Sequence, residues 1–102
     1  MVVDLKANEM VKMAADVQHL SENDEVKGKL ILTNQRIYFQ TPSDNTREYN
    51  LEIVPHEIKE LLYFKSGFFS SNGLTVLTKD GKELRFVVKK RDTWCKLINQ
   101  MY

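Results

Sequence analysis

From Val26 onward, short runs of β-branched and aromatic residues alternate with polar residues, and turn-forming residues separate the runs. Alternation with a period of two places successive side chains on opposite faces of a strand. The runs at 26–33 and 36–40 predict one hairpin. The runs at 73–78 and 83–88 flank Asp80-Gly81 and predict a second, because glycine accepts a positive φ. The chain is therefore predicted to be mainly β.

Two further strands are predicted at 48–55 and 61–65, after a turn at 41–47 that collects Pro, Ser, Asp and Asn. In the first of them Tyr49, Leu51 and Ile53 share one face. The buried face of the last strand is predicted to consist of Leu84, Phe86 and Val88.

The alternation of apolar and polar residues ends before Asp92. Asp92 is a candidate N-cap for a C-terminal helix over about 92–101. An apolar stripe with helical spacing follows, made of Trp94, Leu97, Ile98 and Met101. A helix of about ten residues is marginal alone, so the stripe must pack on the sheet. Residues 9–20 allow two interpretations, because their composition favours a helix while they can also form an irregular strand.

A chain of 102 residues is predicted to form a single domain, 1–102, with one core. Its net charge of +1 disfavours nucleic acid as a partner. Apolar runs are too short to cross a bilayer, and the N-terminus lacks the apolar core of a signal peptide. Cys95 is the only cysteine, which excludes an internal disulfide and a Cys-rich zinc site and fits a cytoplasmic location.

The segment GKLILTNQRIYF, together with LEIVPHEIKELL and GLTVLTKDGKELRFVVKKRDTWCKLI, resembles the GRAM domain of the pleckstrin-homology-like (PH-like) superfold across residues 9–101. The residues that carry the hairpin motif are Gly28, Leu30, Leu32, Thr33, Arg36, Ile37 and Phe39. The resemblance implies about seven antiparallel strands in a barrel or orthogonal sandwich capped by the helix, with residues 9–20 as the first strand. It also implies a non-catalytic binding or adaptor module that contacts lipids or proteins.

In relatives of this superfold, loops at the open end of the barrel bind phospholipid head groups, and here these loops correspond to 21–25, 41–47 and 79–82. The resemblance therefore implies a lipid-binding set: Lys27, Lys79, Lys82 and Arg47. The three loops together carry a net charge of about −2, which repels phosphates. Protein contact or self-association is thus the first functional hypothesis, and peripheral binding of anionic phospholipid at the membrane is the alternative.

Phe68 and Phe69 lie in the turn-like stretch KSGFFSSNG. Because this stretch precedes the strand 73–78 and KDGK follows it, the two connections should lie at opposite ends of that strand, about 20 Å apart. The first hypothesis is that the rings plug the closed end of the barrel. An anchor for a protein partner or for self-association comes second, and a finger that enters lipid comes last.

No catalytic site, metal site or cofactor is predicted. His19, His56 and Cys95 lie on three separate elements with no catalytic motif around any of them. Cys95 is expected to be a partly buried, inert thiol. Arg36 is expected to pack its stem across a neighbouring strand, and the basic run 89–91 to be a solvated junction.

Overall fold

The computed structural model describes residues 5–21, 24–42, 49–65 and 72–102. Its helix α1 spans Arg91–Asn99, and a 3₁₀ turn spans Pro55–Glu57. The strands are β1 (Val11–Ser21), β2 (Asp24–Thr33), β3 (Ile37–Gln40), β4 (Leu51–Ile53), β5 (Ile58–Phe64), β6 (Gly73–Thr78) and β7 (Glu83–Val87).

All seven strands belong to one antiparallel sheet in the order β4-β3-β2-β1-β7-β6-β5. The predicted fold class, mainly β with one C-terminal helix, is confirmed. Residues 11–21 form a strand, so the interpretation taken from the family is the right one for this segment. Strand β1 joins the two halves of the sheet, because it pairs with β2 along its length and with β7 over Gln18–Leu20 only.

The core lies between the two halves of the sheet and is closed by α1. Trp94 and Ile98 from the helix are fully buried in it, together with Phe39 and Phe86 from the strands. Leu97 and Met101 pack against the same cluster and complete the predicted stripe. Phe86 and Val88 are buried as predicted, whereas Leu84 is only partly buried.

The start of α1 corrects the predicted N-cap. Lys90, with φ of 58°, is the capping residue, and it makes no side-chain cap hydrogen bond. Asp92 lies inside the first turn, where its carboxylate accepts a hydrogen bond of 2.7 Å from the Tyr63 hydroxyl. The helix ends at Asn99 rather than near 101. The strands predicted at 48–55 and 61–65 also have different bounds, since β4 is only three residues long and β5 begins at Ile58.

The turn between β2 and β3 binds the segment that precedes β1. The buried Glu9 carboxylate accepts hydrogen bonds from the Thr33 hydroxyl at 2.7 Å and from Arg36 Nε and Nη2 at 2.8 Å each. Arg36 also contacts the Glu52 carboxylate at 2.5 Å and lies over the Tyr38 ring. Arg36 is buried, but its charged partners were not predicted, and the ring that it covers belongs to the strand that follows it rather than to a neighbouring one.

Candidate functional site

A cleft opens where β1 separates from β7. The two strands pair over Gln18–Leu20 and part at Val17, while the chain beyond β7 turns away towards α1. The backbone N–H of Val88 donates a hydrogen bond of 2.9 Å to the Asn72 carbonyl, which fixes this far wall. The cleft has a volume of about 540 Å³, within the range of small-molecule sites.

The cleft combines an apolar floor with a charged rim. Val17 and Val88, with 5% and 1% of their surface exposed, lie at the floor. The exposed side chains of Lys27 on β2 and Lys89 after β7 belong to its lining, with Asp16 as the acidic member. The remaining lining residues are Gln18, Gly28, Pro42, Asn72 and Val87. Two cations and one carboxylate leave the cleft with a net positive charge.

Gly28 is required for the wall that β2 contributes. A Cβ atom at this position would come within 2.5 Å of the Gln40 carbonyl oxygen and 2.7 Å of the Phe39 ring. Only glycine allows β3 to approach β2 this closely. The glycine that opens the hairpin motif therefore serves both the fold and the cleft.

The predicted lipid-binding lysines do not all meet in one cavity. Lys27 lines the cleft, whereas Lys79 lines a different cavity of about 400 Å³ with His56, Glu57 and Asp80. Lys82 is largely exposed and lies 3.8 Å from the Asp80 carboxylate. A third cavity, at the open end between β1 and the β6–β7 hairpin, contains Glu83 and Arg85, whose charges cancel.

Three of the predicted site residues, Arg47, Phe68 and Phe69, lie outside the described residues, and the hypotheses about them stay predictions. Lys89 was not among the predicted site residues, because the basic run 89–91 was expected to be a solvated junction. Arg91 corrects that expectation. Its Nη1 donates to the Phe64 and Gly73 carbonyls at 3.0 and 3.2 Å, and its guanidinium covers the Tyr63 ring.

Candidate metal and catalytic groups are sparse in the part of the chain that the structure describes. No group of three or more His, Cys, Asp or Glu residues in these ranges is placed to hold a metal ion. Cys95 is partly buried, as expected, and accepts a hydrogen bond of 3.4 Å from the Asn99 amide. No helix in the same ranges is long and apolar enough to span a membrane.

His19 is buried at the junction of β1 and β7. Its Nδ1 lies 2.9 Å from the Arg85 carbonyl oxygen and therefore carries the proton of the neutral ring. The ring stacks on Phe86 with 4.9 Å between centroids and contacts Phe39. Burial lowers the pKa of His19 below 6.5, although the hydrogen bond to Arg85 opposes this shift.

This lowered pKa predicts a stability that falls in mild acid. Below pH 6.5 the unfolded chain binds a proton at His19 before the folded chain does, so the free energy of unfolding should decrease by up to about 1.4 kcal/mol per pH unit. Urea unfolding between pH 7.5 and 5.0 measures this slope. His19→Gln should flatten it, and His56→Gln, at an exposed position, should not. An equal slope in His19→Gln and the unsubstituted chain would contradict the assignment.

Comparison with known proteins finds solved structures with a similar fold, but no similar sequence. No model of a known protein family matches the sequence, and no similar sequence was found among curated proteins. Among solved structures, the C-terminal domain of an unknown protein from Leishmania infantum is similar, with a TM-score of 0.76 and 18% identity over 93% of this chain and 86% of that one. The Vps36 N-terminal PH domain has a TM-score of 0.69 and 16% identity, over 94% and 83%.

A third similar structure is the Slm1-PH domain in complex with phosphoserine, with a TM-score of 0.62 and 13% identity over 89% of this chain and 91% of that one. The same domain is also known in complex with inositol-4-phosphate. At these identities the likeness establishes the fold alone. The fold is therefore PH-like, as predicted, while the narrower GRAM assignment stays a prediction.

Proposed function

We propose that this chain is a non-catalytic binding module of the GRAM and PH-like class, and that its cleft binds the phosphate-bearing head group of an anionic phospholipid. The observation that carries the proposal is that Lys27 and Lys89 line one cleft from two different elements. Two lysines separated in this way can contact one phosphate group from both sides. The proposal takes up the alternative hypothesis, lipid binding, with Lys89 in place of Lys79 and Lys82 as the partner of Lys27. Arg47, the fourth residue of the predicted set, lies outside the described residues.

The other groups of the cleft suit a polar head group on an apolar base. The side-chain amides of Gln18 and Asn72 can donate hydrogen bonds to hydroxyl or phosphate oxygens, and Val17 and Val88 offer an apolar surface beneath them. Asp16 weakens the positive field and limits affinity for phosphate. The two other cavities are less suitable, because their charged residues cancel or are mainly acidic.

The comparisons support this class of ligand without identifying it. The Slm1-PH domain has been solved with phosphoserine and with inositol-4-phosphate, both of which are phosphate monoesters. The GRAM assignment is supported by the hairpin motif, in which Gly28, Thr33 and Arg36 each have a defined role. A single domain in the cytoplasm that contacts the membrane reversibly completes the proposal.

The proposal predicts that charge reversal in the cleft weakens ligand binding. Lys27→Glu and Lys89→Glu each remove a charge-assisted contact and add a repulsive charge, so each should weaken binding by about 10-fold or more. Titration of the protein with inositol-4-phosphate, followed by NMR, measures the affinity. Sedimentation with vesicles that contain phosphatidylinositol phosphate, compared with phosphatidylcholine alone, measures the membrane-bound fraction at low and physiological salt.

Lys59→Glu is the matched control, since Lys59 is an exposed lysine on β5 outside the cleft. Asp16→Asn should strengthen binding, because it removes the carboxylate from the cleft. If Lys59→Glu weakened binding as much as the cleft variants, the interaction would be a general charge effect and the proposal would fail. An absence of resonance shifts at Val17, Val88 and Asn72 on addition of inositol-4-phosphate would also overturn it.

A further inference from the structure

The first half of β1 has one edge without a strand partner in the described part of the chain. Strand β2 pairs with β1 from Val11 to Ser21, but β7 reaches only Gln18–Leu20 on the other side. Alternate residues of 11–17 therefore direct backbone N–H and C=O groups to that side, where no described strand pairs with them. Such an edge is a template for an additional strand.

The side chains along this edge define which strand can pair with it. Lys12, Ala14 and Asp16 are exposed, while Met13 and Ala15 are partly buried against the core. Edge charges usually oppose uncontrolled pairing, and so does the irregular register between Val11 and Met13. An incoming strand must therefore match a positive and a negative charge spaced four residues apart.

We propose that the partner on this edge is a second copy of the same chain, paired antiparallel through β1 and centred on Ala14. A two-fold axis perpendicular to the sheet keeps equivalent side chains on the same face. In this register each Lys12 lies opposite Asp16 of the second copy, and Ala14 lies opposite its own equivalent. The pairing thus contains two ion pairs between strands and places small side chains at the axis.

Neighbouring registers are less favourable for electrostatic reasons. Centring the pair on Lys12 or on Asp16 puts two like charges directly opposite each other, which destabilises a sheet. Centring it on Met13 or Ala15 leaves both charges opposite uncharged side chains. Only the register centred on Ala14 pairs opposite charges, so the sequence of β1 specifies a single symmetric alignment.

The same register connects the dimer to the cleft. Gln18 already pairs with Val87, so the pairing ends where Val11, of which 49% is exposed, lies opposite Val17 of the second copy, and Val17 lines the cleft. An exposed apolar side chain would thus cover the mouth of the cleft in each copy. Dimerisation and binding of the head group then compete for the mouth of the cleft. This competition rests on the proposed function, whereas the dimer itself does not.

Charge exchange tests the dimer directly. In a dimer of the Lys12→Asp variant, each Asp16 lies opposite a second carboxylate, and in a dimer of the Asp16→Lys variant, each Lys12 lies opposite a second ammonium group. Each substitution should therefore weaken dimerisation by about 10- to 30-fold. The double variant Lys12→Asp/Asp16→Lys restores opposite charges and should dimerise like the unsubstituted chain. A mixture of the two single variants should form heterodimers. Sedimentation equilibrium measures the dimer constant, and circular dichroism checks that all variants are folded.

The outcomes separate this inference from the proposed function. The inference fails if the unsubstituted chain remains monomeric up to about 1 mM, or if the double variant is as weak as the single ones. In the competition arm, inositol-4-phosphate should dissociate the dimer, and Lys12→Asp should bind it at least as tightly as the unsubstituted chain. A dimer that survives saturating inositol-4-phosphate would contradict the competition, and a chain that dimerises without binding the ligand would contradict the proposed function alone.

Discussion

Replacement of Glu9 by alanine is expected to lower the free energy of unfolding by about 3 kcal/mol or more. The Glu9 side chain has no exposed surface, and 9% of the Arg36 side chain is exposed. The carboxylate accepts hydrogen bonds from the Arg36 guanidinium, the Thr33 hydroxyl and the Lys6 backbone N–H. Its removal takes away the buried carboxylate that pairs with this guanidinium, and breaking a buried ion pair by removing one partner is costly. Urea unfolding at pH 7 measures the loss.

Glu52→Ala is the matched control for this prediction. Glu52 contacts the same guanidinium, but 45% of its side chain is exposed, so its removal should cost less than about 1 kcal/mol. A cost for Glu9→Ala no greater than that for Glu52→Ala would show that the buried pair does not stabilise the fold.

The same pair predicts an acid transition distinct from that of His19. Burial opposes ionisation of Glu9, but the bonds from Thr33 and Lys6 and the charge of Arg36 hold its pKa below 4.5. Because the folded-state pKa is lowered, the contribution of Glu9 is complete above pH 4.5 and is lost as the pH falls through the folded-state value. Glu9→Gln should remove this part of the acid transition and leave the slope between pH 6.5 and 5.0 in place.

Replacement of Trp94 by alanine is expected to cost about 3–5 kcal/mol. The Trp94 side chain is fully buried in the cluster that joins α1 to the sheet. Truncation removes its apolar contacts and leaves a cavity that the rigid sheet cannot fill. Since a helix of nine residues is not stable alone, detachment of α1 should accompany the loss. Urea unfolding followed by circular dichroism measures the free energy and reports on the helix.

Trp94→Phe separates packing from polarity at the same position. Among the described residues, the buried indole Nε1 has no hydrogen-bond partner. Phenylalanine removes this unpaired donor while keeping an aromatic ring, so the variant should lose much less stability than Trp94→Ala. Equal losses in the two variants would show that the packing of the whole indole is indispensable, contrary to this expectation.

Local patterns predicted the elements because their physical causes are local. The apolar runs at 73–78 and 83–88 and the turn residues Asp80-Gly81 gave β6 and β7 closely, since a hairpin of this kind requires strand-forming runs on either side of a glycine that accepts positive φ. The helical stripe of Trp94 and Ile98 gave α1 within two residues at each end. The N-cap was wrong because Asp92 has a competing partner, Tyr63, on a strand that is distant in sequence.

The candidate site was only partly predictable. Lys27 was predicted as a candidate and lines the cleft, but its grouping with Lys79 and Lys82 assumed that ligands bind at the loops of the open end. Lys89 belongs to the basic run 89–91, for which the sequence favoured a solvated junction because surface cations are common. Its place beside Lys27 depends on where β7 leaves β1, which is a property of the pairing of Gln18–Leu20 with β7 and not of any short segment.

The sequence by itself determined the strands, the hairpin turns, the apolar stripe of α1 and the resemblance to the PH-like superfold, since these follow from spacing along the chain. The tertiary structure decided which distant residues meet. It joined Glu9 to Arg36 across 27 positions and placed Lys27 and Lys89 around one cleft. Among the described residues it also left one side of residues 11–17 without a strand partner. Contacts of this kind depend on how the half-sheets cross, and no period in the sequence encodes that crossing.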